Sequence, residues 1–187
     1  MGIQETCRPE GQRYEDMAIT FRRKNIRLPR SSYIGHQWYF ITTCTLDRIP
    51  RFQDGKLVAE ALGFLVEEAH AHAFDIQAYC FMPDHLHLLT SGAHPAADCL
   101  AFVKTFKQRS GFAFKQRTQK RLWQDRPYDH ILRQDESWEA VAYYVWMNPV
   151  RRGLCERPEE WPFSGSLTVD WKRLLTPPEK LWVPHWK

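Results

Sequence analysis

The chain lacks any long run of apolar residues, and its cysteines are few and irregularly spaced. No stretch approaches the roughly 20 apolar residues that a membrane-spanning helix needs. Residues 1–30 are polar and lack the apolar centre of a secretory signal, so we expect a cytoplasmic protein with no membrane partner. The five cysteines include no Cys-x-x-Cys pair, which argues against a disulfide framework and against a thiolate zinc site.

Charge is unevenly distributed, although the formal net charge is only +4. Basic residues concentrate at 22–30 and again at 101–133, where aromatic residues are interleaved with them. Such clusters suit single-stranded nucleic acid, because cations bind the phosphates and aromatic rings stack on the bases. A solvated helix face explains the charge pattern about equally well.

Four segments are predicted to be β-strands. Each is rich in aromatic and β-branched residues or in apolar residues, and the turn signal Pro83-Asp84 separates the second from the third. The predicted strands are 38–46, 74–82, 85–90 and 128–133.

Three helices are predicted between and after these strands. The first begins at Gly55 and carries apolar residues at three- and four-residue spacing, and the second runs from a cap at Asp98 to about Arg117. The third follows a cap at Asp135 and ends before Pro149, because the residue preceding a proline disfavours the helical conformation. The order β-α-β-β-α-β predicts an α+β, ferredoxin-like antiparallel sheet with helices on one face, followed by an additional helix.

The length of 187 residues suits one domain with peripheral segments. We predict a basic N-terminal arm at 1–30, a single domain at 31–166 and a tryptophan-rich tail at 167–187 that packs on the domain.

His85 and His87 lie two residues apart on the third predicted strand, so their side chains project from the same face. Two neighbouring imidazoles on a rigid strand can serve as two ligands of a metal ion. His70 and His72 have the same spacing but lie near a helix end, where residues two apart do not face each other. Spacing alone leaves a pair of ordinary strand histidines as the more frequent explanation.

Tyr144 and Asn148 lie four residues apart on the third predicted helix and therefore share one face. Taken alone, a packing role explains this pair better than a chemical one. Together with the two histidines, the amide oxygen of Asn148 gives a partial coordination sphere for Mg²⁺ or Mn²⁺, with open positions for phosphate oxygens. A tyrosine hydroxyl beside a metal-bound phosphate can act as a nucleophile.

The segment CFMPDHLHLL resembles the histidine-hydrophobe-histidine motif of the HUH endonuclease superfamily. AYYVWMNPVRRGL and the following EEWPFSGS resemble the tyrosine helix and trailing segment of REP-associated tyrosine transposases, which are relatives of single-tyrosine insertion-sequence transposases. The resemblance covers about residues 33–166. His85 and His87 match the motif histidines. Tyr144 matches the nucleophile, and Asn148 matches the third metal ligand, a position that the insertion-sequence branch usually fills with glutamine.

The resemblance implies an enzyme that cleaves and rejoins single-stranded DNA at hairpins formed by repetitive extragenic palindromes. A tyrosine attacks a phosphodiester, forms a 5′-phosphotyrosine and releases a 3′-OH, and a 3′-OH can later attack the linkage and rejoin strands. Basic residues of the arm and of the segment 104–121 would bind the hairpin phosphates. These residues are Arg22, Arg23, Lys24, Arg27, Arg30, Lys104, Lys107, Arg109, Lys115, Arg117, Lys120 and Arg121.

Three residues near the motifs have more than one explanation. His130 lies on the fourth predicted strand, where a structural role and an auxiliary contact with phosphate or metal are equally good explanations. Asp84 is explained more readily as a turn residue than as a partner that orients an imidazole. A zinc site formed by Cys80 with the two histidines is disfavoured, because Cys80 and His85 lie on different strands across a turn.

Alternative functions are a non-cutting hairpin-DNA-binding protein of the same fold, a metal-dependent hydrolase of small phosphoesters and an RNA-binding domain. The presence of both histidines, the tyrosine and the asparagine argues against the first, and the basic segments argue weakly against the second. The aromatic sheet motif of RNA-recognition domains has no clear match. The sequence does not decide between a monomer and a homodimer, although a tail docked on the domain would block a dimer face.

Overall fold

A computed structural model describes residues 28–184 of the chain. Most of the predicted basic arm, including Arg22, Arg23, Lys24 and Arg27, lies outside the described residues. Arg30 lies inside them, and its guanidinium pairs with the Asp98 carboxylate at 2.7 Å.

Five strands form one antiparallel sheet. They are β1 (Trp38–Cys44), β2 (Phe74–Met82), β3 (His85–Gly92), β4 (Tyr128–Ile131) and β5 (Ser164–Gly165). Their order across the sheet is β4-β1-β3-β2-β5, so the first four strands have the ferredoxin-like arrangement and the short β5 extends one edge. The predicted α+β, ferredoxin-like fold class is confirmed. The β2-β3 hairpin closes through the two residues Pro83 and Asp84, which pairs Met82 with His85.

Four helices accompany the sheet. They are α1 (Gly55–Ala71), α2 (Cys99–Thr118), α3 (Trp138–Trp146) and α4 (Asn148–Arg151). The predicted cap of α2 is confirmed, since the Asp98 carboxylate accepts a hydrogen bond from the Ala101 amide at 3.1 Å.

The tyrosine-bearing helix α3 differs from the prediction at its start, whereas its end at Trp146, with Met147 as the C-cap, agrees with the predicted end before Pro149. Its cap is Ser137, whose hydroxyl accepts a hydrogen bond from the Ala140 amide at 3.2 Å, so the predicted cap at Asp135 is wrong. At the other end the chain turns directly into α4 with Pro149 in the first turn, where a missing N–H costs nothing. Pro149 therefore lies in the first turn of a second short helix, which the sequence did not predict.

The two faces of the sheet are covered by different elements. Neighbouring residues of a strand point to opposite faces, so Ile41 belongs to a core with α1 and α2, while Phe40 belongs to a core with α3. The fully buried Trp146 anchors α3, and its indole N–H donates to the Gly165 main-chain oxygen at 3.0 Å. Coverage of both faces explains why β1 and β3 are almost entirely buried.

The described part of the tail lies over the core that contains α3. Trp171 packs against Trp146 with ring centroids 5.5 Å apart, and Trp182 packs against Phe40 at 5.0 Å. The predicted boundary between domain and tail at residue 166 stays a prediction. No helix within residues 28–184 is long and apolar enough to cross a bilayer.

Candidate active site

His85 and His87 project from the sheet face that α3 covers, as strand alternation predicts. The register of the sheet places Cys44 opposite His85 and Thr42 opposite His87. Both imidazoles are buried, and their Nε2 atoms lie 3.0 Å apart. The strand therefore brings the two rings together at the atoms that would bind a cation.

Each imidazole is held at its other ring nitrogen. The Nδ1 of His85 donates to the Asp84 carboxylate at 2.5 Å, and the Nδ1 of His87 lies 2.8 Å from the Thr42 hydroxyl. A proton on Nδ1 leaves a lone pair on Nε2, which is the arrangement found around metal-binding histidines. The hydrogen bond from His85, with Arg48 nearby, lowers the pKa of the Asp84 carboxyl. Asp84 is therefore both a turn residue and an orienting partner.

The separation of the two Nε2 atoms fits a shared cation. Two ligand atoms about 2.1 Å from one metal, at right angles to each other, lie about 3.0 Å apart. A proton shared between the two nitrogens is compatible with the same distance when no cation is bound. Within residues 28–184, no group of three His, Cys, Asp or Glu side chains converges.

Asn148 lines the same cavity as the two histidines. Its side-chain nitrogen donates to the main-chain oxygens of Tyr144 and Val145 at 2.9 and 3.3 Å. Only the NH₂ end of an amide can approach two carbonyl oxygens, so these contacts identify which amide atom is the oxygen. The Oδ1 atom accepts no hydrogen bond from the described part of the chain, and amide oxygens suit hard divalent cations.

The cavity in front of these residues has a volume of about 680 Å³ and a basic wall. Among the described residues that line it there is no acidic side chain, and there are four arginines: Arg48, Arg126, Arg151 and Arg152. Asp84 lies behind the histidines and pairs with Arg48 at 3.4 Å. Guanidinium groups form paired hydrogen bonds with phosphate oxygens, and a cavity lined by positive charge raises the local concentration of anions.

Tyr144 is buried at the inner end of this site. Its ring packs edge-on against Phe40, His87 and Trp182, with centroid distances of 5.8, 6.1 and 5.0 Å. The residue is 6% exposed and is not among the described residues that line the cavity. Burial raises the pKa of its hydroxyl, and the nearby Arg151 opposes that rise. The phenol is therefore neutral at ordinary pH.

His130 lies on the same sheet face but does not line the cavity. Its Nε2 is 2.7 Å from the Glu136 carboxylate, whose second oxygen accepts the Trp182 indole N–H at 2.6 Å. His130 thus connects β4 to the loop before α3 and to the tail. Its auxiliary role in phosphate or metal contact stays a prediction.

Cys80 lies directly opposite His87 across the β2-β3 hairpin. Burial raises the pKa of its thiol to about 12, and the Sγ atom lies 3.6 Å from the Met82 sulfur. Cys80 is not among the described residues that line the cavity of the histidine pair. The cysteines within residues 28–184 form no disulfide.

The basic residues predicted on α2 point in two directions. Arg109 pairs with Glu67 and Glu68 of α1 at 2.6 and 2.5 Å, and Arg117 pairs with Glu60 at 2.5 Å. These two arginines join α2 to α1, which the charge pattern alone did not indicate.

The other basic side chains of this segment lie elsewhere. Lys104, Lys107, Lys115 and Arg121 line a second cavity of about 660 Å³ beside α2, whereas Lys120 is exposed. The Lys107 amine donates to the main-chain oxygens of Gln124 and Asp125 at 2.6 and 3.2 Å, and burial lowers its pKa to about 8. Their contact with DNA stays a prediction.

Several residues of the site escaped the sequence analysis. Thr42 carries no signal of its own, since only strand register places it beside His87. Arg151 and Arg152 follow Asn148 at three and four residues, and a continued helical turn would have placed them on its face. Predicting a break at Pro149 hid that relation.

Comparison with known proteins identifies the family. A family model described as "Transposase IS200 like" matches residues 34–148, more than half of the chain. The chain belongs to the IS200-like transposase family. The matched segment contains both histidines and Tyr144 and ends at Asn148.

Two curated relatives of this IS200-like transposase are REP-associated tyrosine transposases. The Escherichia coli K12 protein is 28% identical over 106 residues, which are 52% of this chain and 62% of that protein. A Haemophilus influenzae protein, assigned provisionally to the same group, is 27% identical over 138 residues, 68% of this chain and 78% of that protein. The resemblance derived from the histidine and tyrosine motifs is confirmed.

A solved structure has a similar fold. It is that of a REP-associated tyrosine transposase bound to a REP hairpin, with a TM-score of 0.67 at 22% identity. The alignment covers 81% of this transposase and 89% of that chain. The likeness supports the ferredoxin-like arrangement of the sheet and its helices.

Proposed function

We propose that this transposase cleaves and rejoins single-stranded DNA at palindromic hairpins through a 5′-phosphotyrosine, with help from a divalent metal. The observation that supports the proposal is the composition of one cavity. Two imidazole nitrogens 3.0 Å apart, an amide oxygen and four arginines converge there, and Tyr144 packs against one of the imidazoles. This set of groups suits a phosphodiester, because guanidinium groups bind its anionic oxygens.

His85, His87 and Asn148 would hold the metal through two Nε2 atoms and one Oδ1 atom. A bound Mg²⁺ or Mn²⁺ supplies Lewis-acid polarisation of the phosphate oxygens. The Asp84 carboxylate accepts the Nδ1 proton of His85 and so leaves a lone pair on its Nε2 atom, and the Thr42 hydroxyl holds the orientation of the His87 ring.

The remaining groups act on the DNA. The arginines bind the negative charge of the phosphodiester. The Tyr144 oxygen attacks phosphorus and loses its proton to solvent, and the bond to the 3′ oxygen breaks, so that this oxygen takes a proton and leaves as a 3′-OH. Attack of a 3′-OH on the phosphotyrosine reverses these changes and rejoins a strand.

Hairpin DNA is proposed as the substrate because two relatives are named for REP elements, and a protein of similar fold was solved with a REP hairpin. Lys104, Lys107, Lys115 and Arg121 would bind phosphates of the hairpin along the second cavity. We propose a monomer, because tail residues cover α3. A dimer mass in light scattering would contradict this.

A covalent-adduct assay tests the proposed reaction. A pool of 3′-labelled hairpin oligonucleotides with randomised single-stranded flanks is incubated with the protein and Mn²⁺, then resolved on a denaturing gel. The label stays on the protein when a 5′-phosphotyrosine forms. We expect an adduct with the unmodified protein, and none with Tyr144→Phe or with EDTA.

Tyr143→Phe is the matched control, because Tyr143 is the adjacent tyrosine on the same helix and contributes no ring to the site. It should form the adduct at the wild-type level. An adduct that persists in Tyr144→Phe contradicts the assigned nucleophile. Tight hairpin binding without any adduct in the unmodified protein would instead indicate a non-cutting hairpin-binding protein.

A further inference from the structure

Arg151 contacts both the buried tyrosine and the open cavity. It lies in α4, three residues after Asn148, and lines the cavity of the histidine pair. Its guanidinium carbon lies 4.0 Å from the centroid of the Tyr144 ring, and its Nη2 donates to the Tyr144 main-chain oxygen at 2.9 Å. The side chain therefore connects the proposed nucleophile with the space in which a phosphate would lie.

Among the described residues, the charge of Arg151 has no acidic partner. Arg48, on the same cavity wall, pairs with Asp84, whereas Arg151 forms no ion pair with any residue from 28 to 184. Within the same range, its hydrogen-bond acceptors are confined to Tyr144. An arginine carries five N–H donors and stays protonated, so several donors remain available at the cavity wall.

Contact with Tyr144 also restricts where those donors point. A guanidinium is planar, and stacking on the tyrosine ring holds that plane in place while one N–H is used by the main chain. The remaining N–H groups of the guanidinium can donate to two oxygens of one phosphate. A phosphate bound there would lie next to the tyrosine side chain.

We propose that Arg151 binds the phosphate that Tyr144 attacks, which rests on the proposed cleavage reaction. The guanidinium would contact two non-bridging oxygens of the cleaved linkage. Its contact with the ring would keep the tyrosine oxygen in line for attack. The alternative is that Arg151 only caps the last main-chain oxygens of α3 and stabilises the fold.

The experiment compares two oligonucleotides that differ at one linkage. The hairpin sequence is taken from the adduct pool, and the cleaved phosphodiester is replaced in one version by an uncharged methylphosphonate. Affinity is measured by fluorescence anisotropy in the Tyr144→Phe background, which retains the aromatic ring and cuts nothing. Arg151→Met, Arg151→Lys and Arg157→Met are each added to that background.

If Arg151 binds the phosphate of the cleaved linkage, its removal should weaken binding of the phosphodiester more than binding of the methylphosphonate. Arg151→Met should weaken binding of the phosphodiester about 10- to 100-fold, and binding of the methylphosphonate less than about 3-fold. Arg151→Lys keeps the charge without the planar fork and should give an intermediate loss. Arg157→Met is the control of equal charge, because Arg157 lies on the exposed surface and its ion pair within residues 28–184 is with Glu160. This variant should bind both DNAs normally.

Other outcomes separate the two proposals. Equal losses on both oligonucleotides, with or without a lower melting temperature, mean that Arg151 is structural, and the inference is overturned while the cleavage proposal stands. Wild-type affinity of Arg151→Met for both DNAs overturns it as well. If the unmodified protein forms no adduct with any hairpin in the pool, the cleavage proposal fails and this inference fails with it.

Discussion

Removing the Asp84 carboxylate should weaken the proposed metal binding without removing either of the two Nε2 atoms that would hold the metal. The carboxylate accepts the Nδ1 proton of His85 at 2.5 Å, and so fixes the ring orientation and its protonated nitrogen. Loss of such a partner typically lowers metal affinity by about 10- to 100-fold. We therefore expect that reduction for Mn²⁺ in Asp84→Ala.

The effect is measurable as thermal stabilisation. At a Mn²⁺ concentration of about 100 times the wild-type Kd, binding should stabilise the wild-type fold by about 2.7 kcal/mol. In a domain of this size that corresponds to a rise in Tm of about 5–11 °C. At the same Mn²⁺ concentration, a 10- to 100-fold weaker Asp84→Ala should gain only about 0.4–1.4 kcal/mol. Calorimetric titration of Mn²⁺ gives the two Kd values independently.

Two further variants control this experiment. Asp170→Ala removes an exposed carboxylate whose ion pair, in the described part of the chain, is with Arg173, and its Mn²⁺-dependent shift should match the wild type. A double substitution of His85 and His87 by alanine should abolish the shift. A full wild-type shift in Asp84→Ala would refute the orienting role of Asp84, and a full shift in the double variant would refute the assignment of the histidine pair as the metal site.

Three other predictions concern stability. Burial lowers the pKa of Lys107 to about 8 in the folded protein. Between about pH 8 and pH 10.5 the Lys107 amine is therefore protonated in the unfolded state but mostly neutral in the folded state. The free energy of unfolding of the wild type, relative to that of Lys107→Met, should rise with pH across that range in urea titrations. Ser137→Ala should cost about 1 kcal/mol in urea unfolding, whereas Asp135→Ala should cost less than about 0.5 kcal/mol, and the reverse order would contradict the observed cap. Trp182→Ala should cost about 2 kcal/mol, because the half-buried ring packs on Tyr144, and an unchanged urea midpoint would show that the tail does not stabilise the domain.

Local rules predicted what depends on local geometry. Alternation along a strand was enough to place His85 and His87 on one face, and turn chemistry at Pro83 was enough to define their hairpin. The helix period placed Tyr144 and Asn148 one turn apart, and in the structure the Asn148 amide donates to the Tyr144 main-chain oxygen while Asn148 lines the cavity.

Other features depend on residues far apart in the chain. Thr42 reaches His87 only through the pairing of β1 with β3, and Arg109 reaches α1 only because the two helices pack together. The spacing of residues along the sequence predicts neither contact. Ser137 and Asp135 are both good capping residues. Ser137 is the cap because the Glu136 carboxylate accepts a hydrogen bond from the Arg133 amide and another from His130, so residues 133–136 form a turn and α3 begins after it.

The two-residue turn between β2 and β3 also limits how this protein can evolve. Because successive side chains of a strand alternate, one residue inserted between Met82 and His85 that shifts the pairing by one position would turn both imidazoles toward the core of α1 and α2. The composition of the chain would hardly change, yet the cavity would lose both nitrogen donors. Substitutions in this hairpin can reduce the activity of the site by degrees, whereas insertion or deletion of a single residue is expected to abolish it.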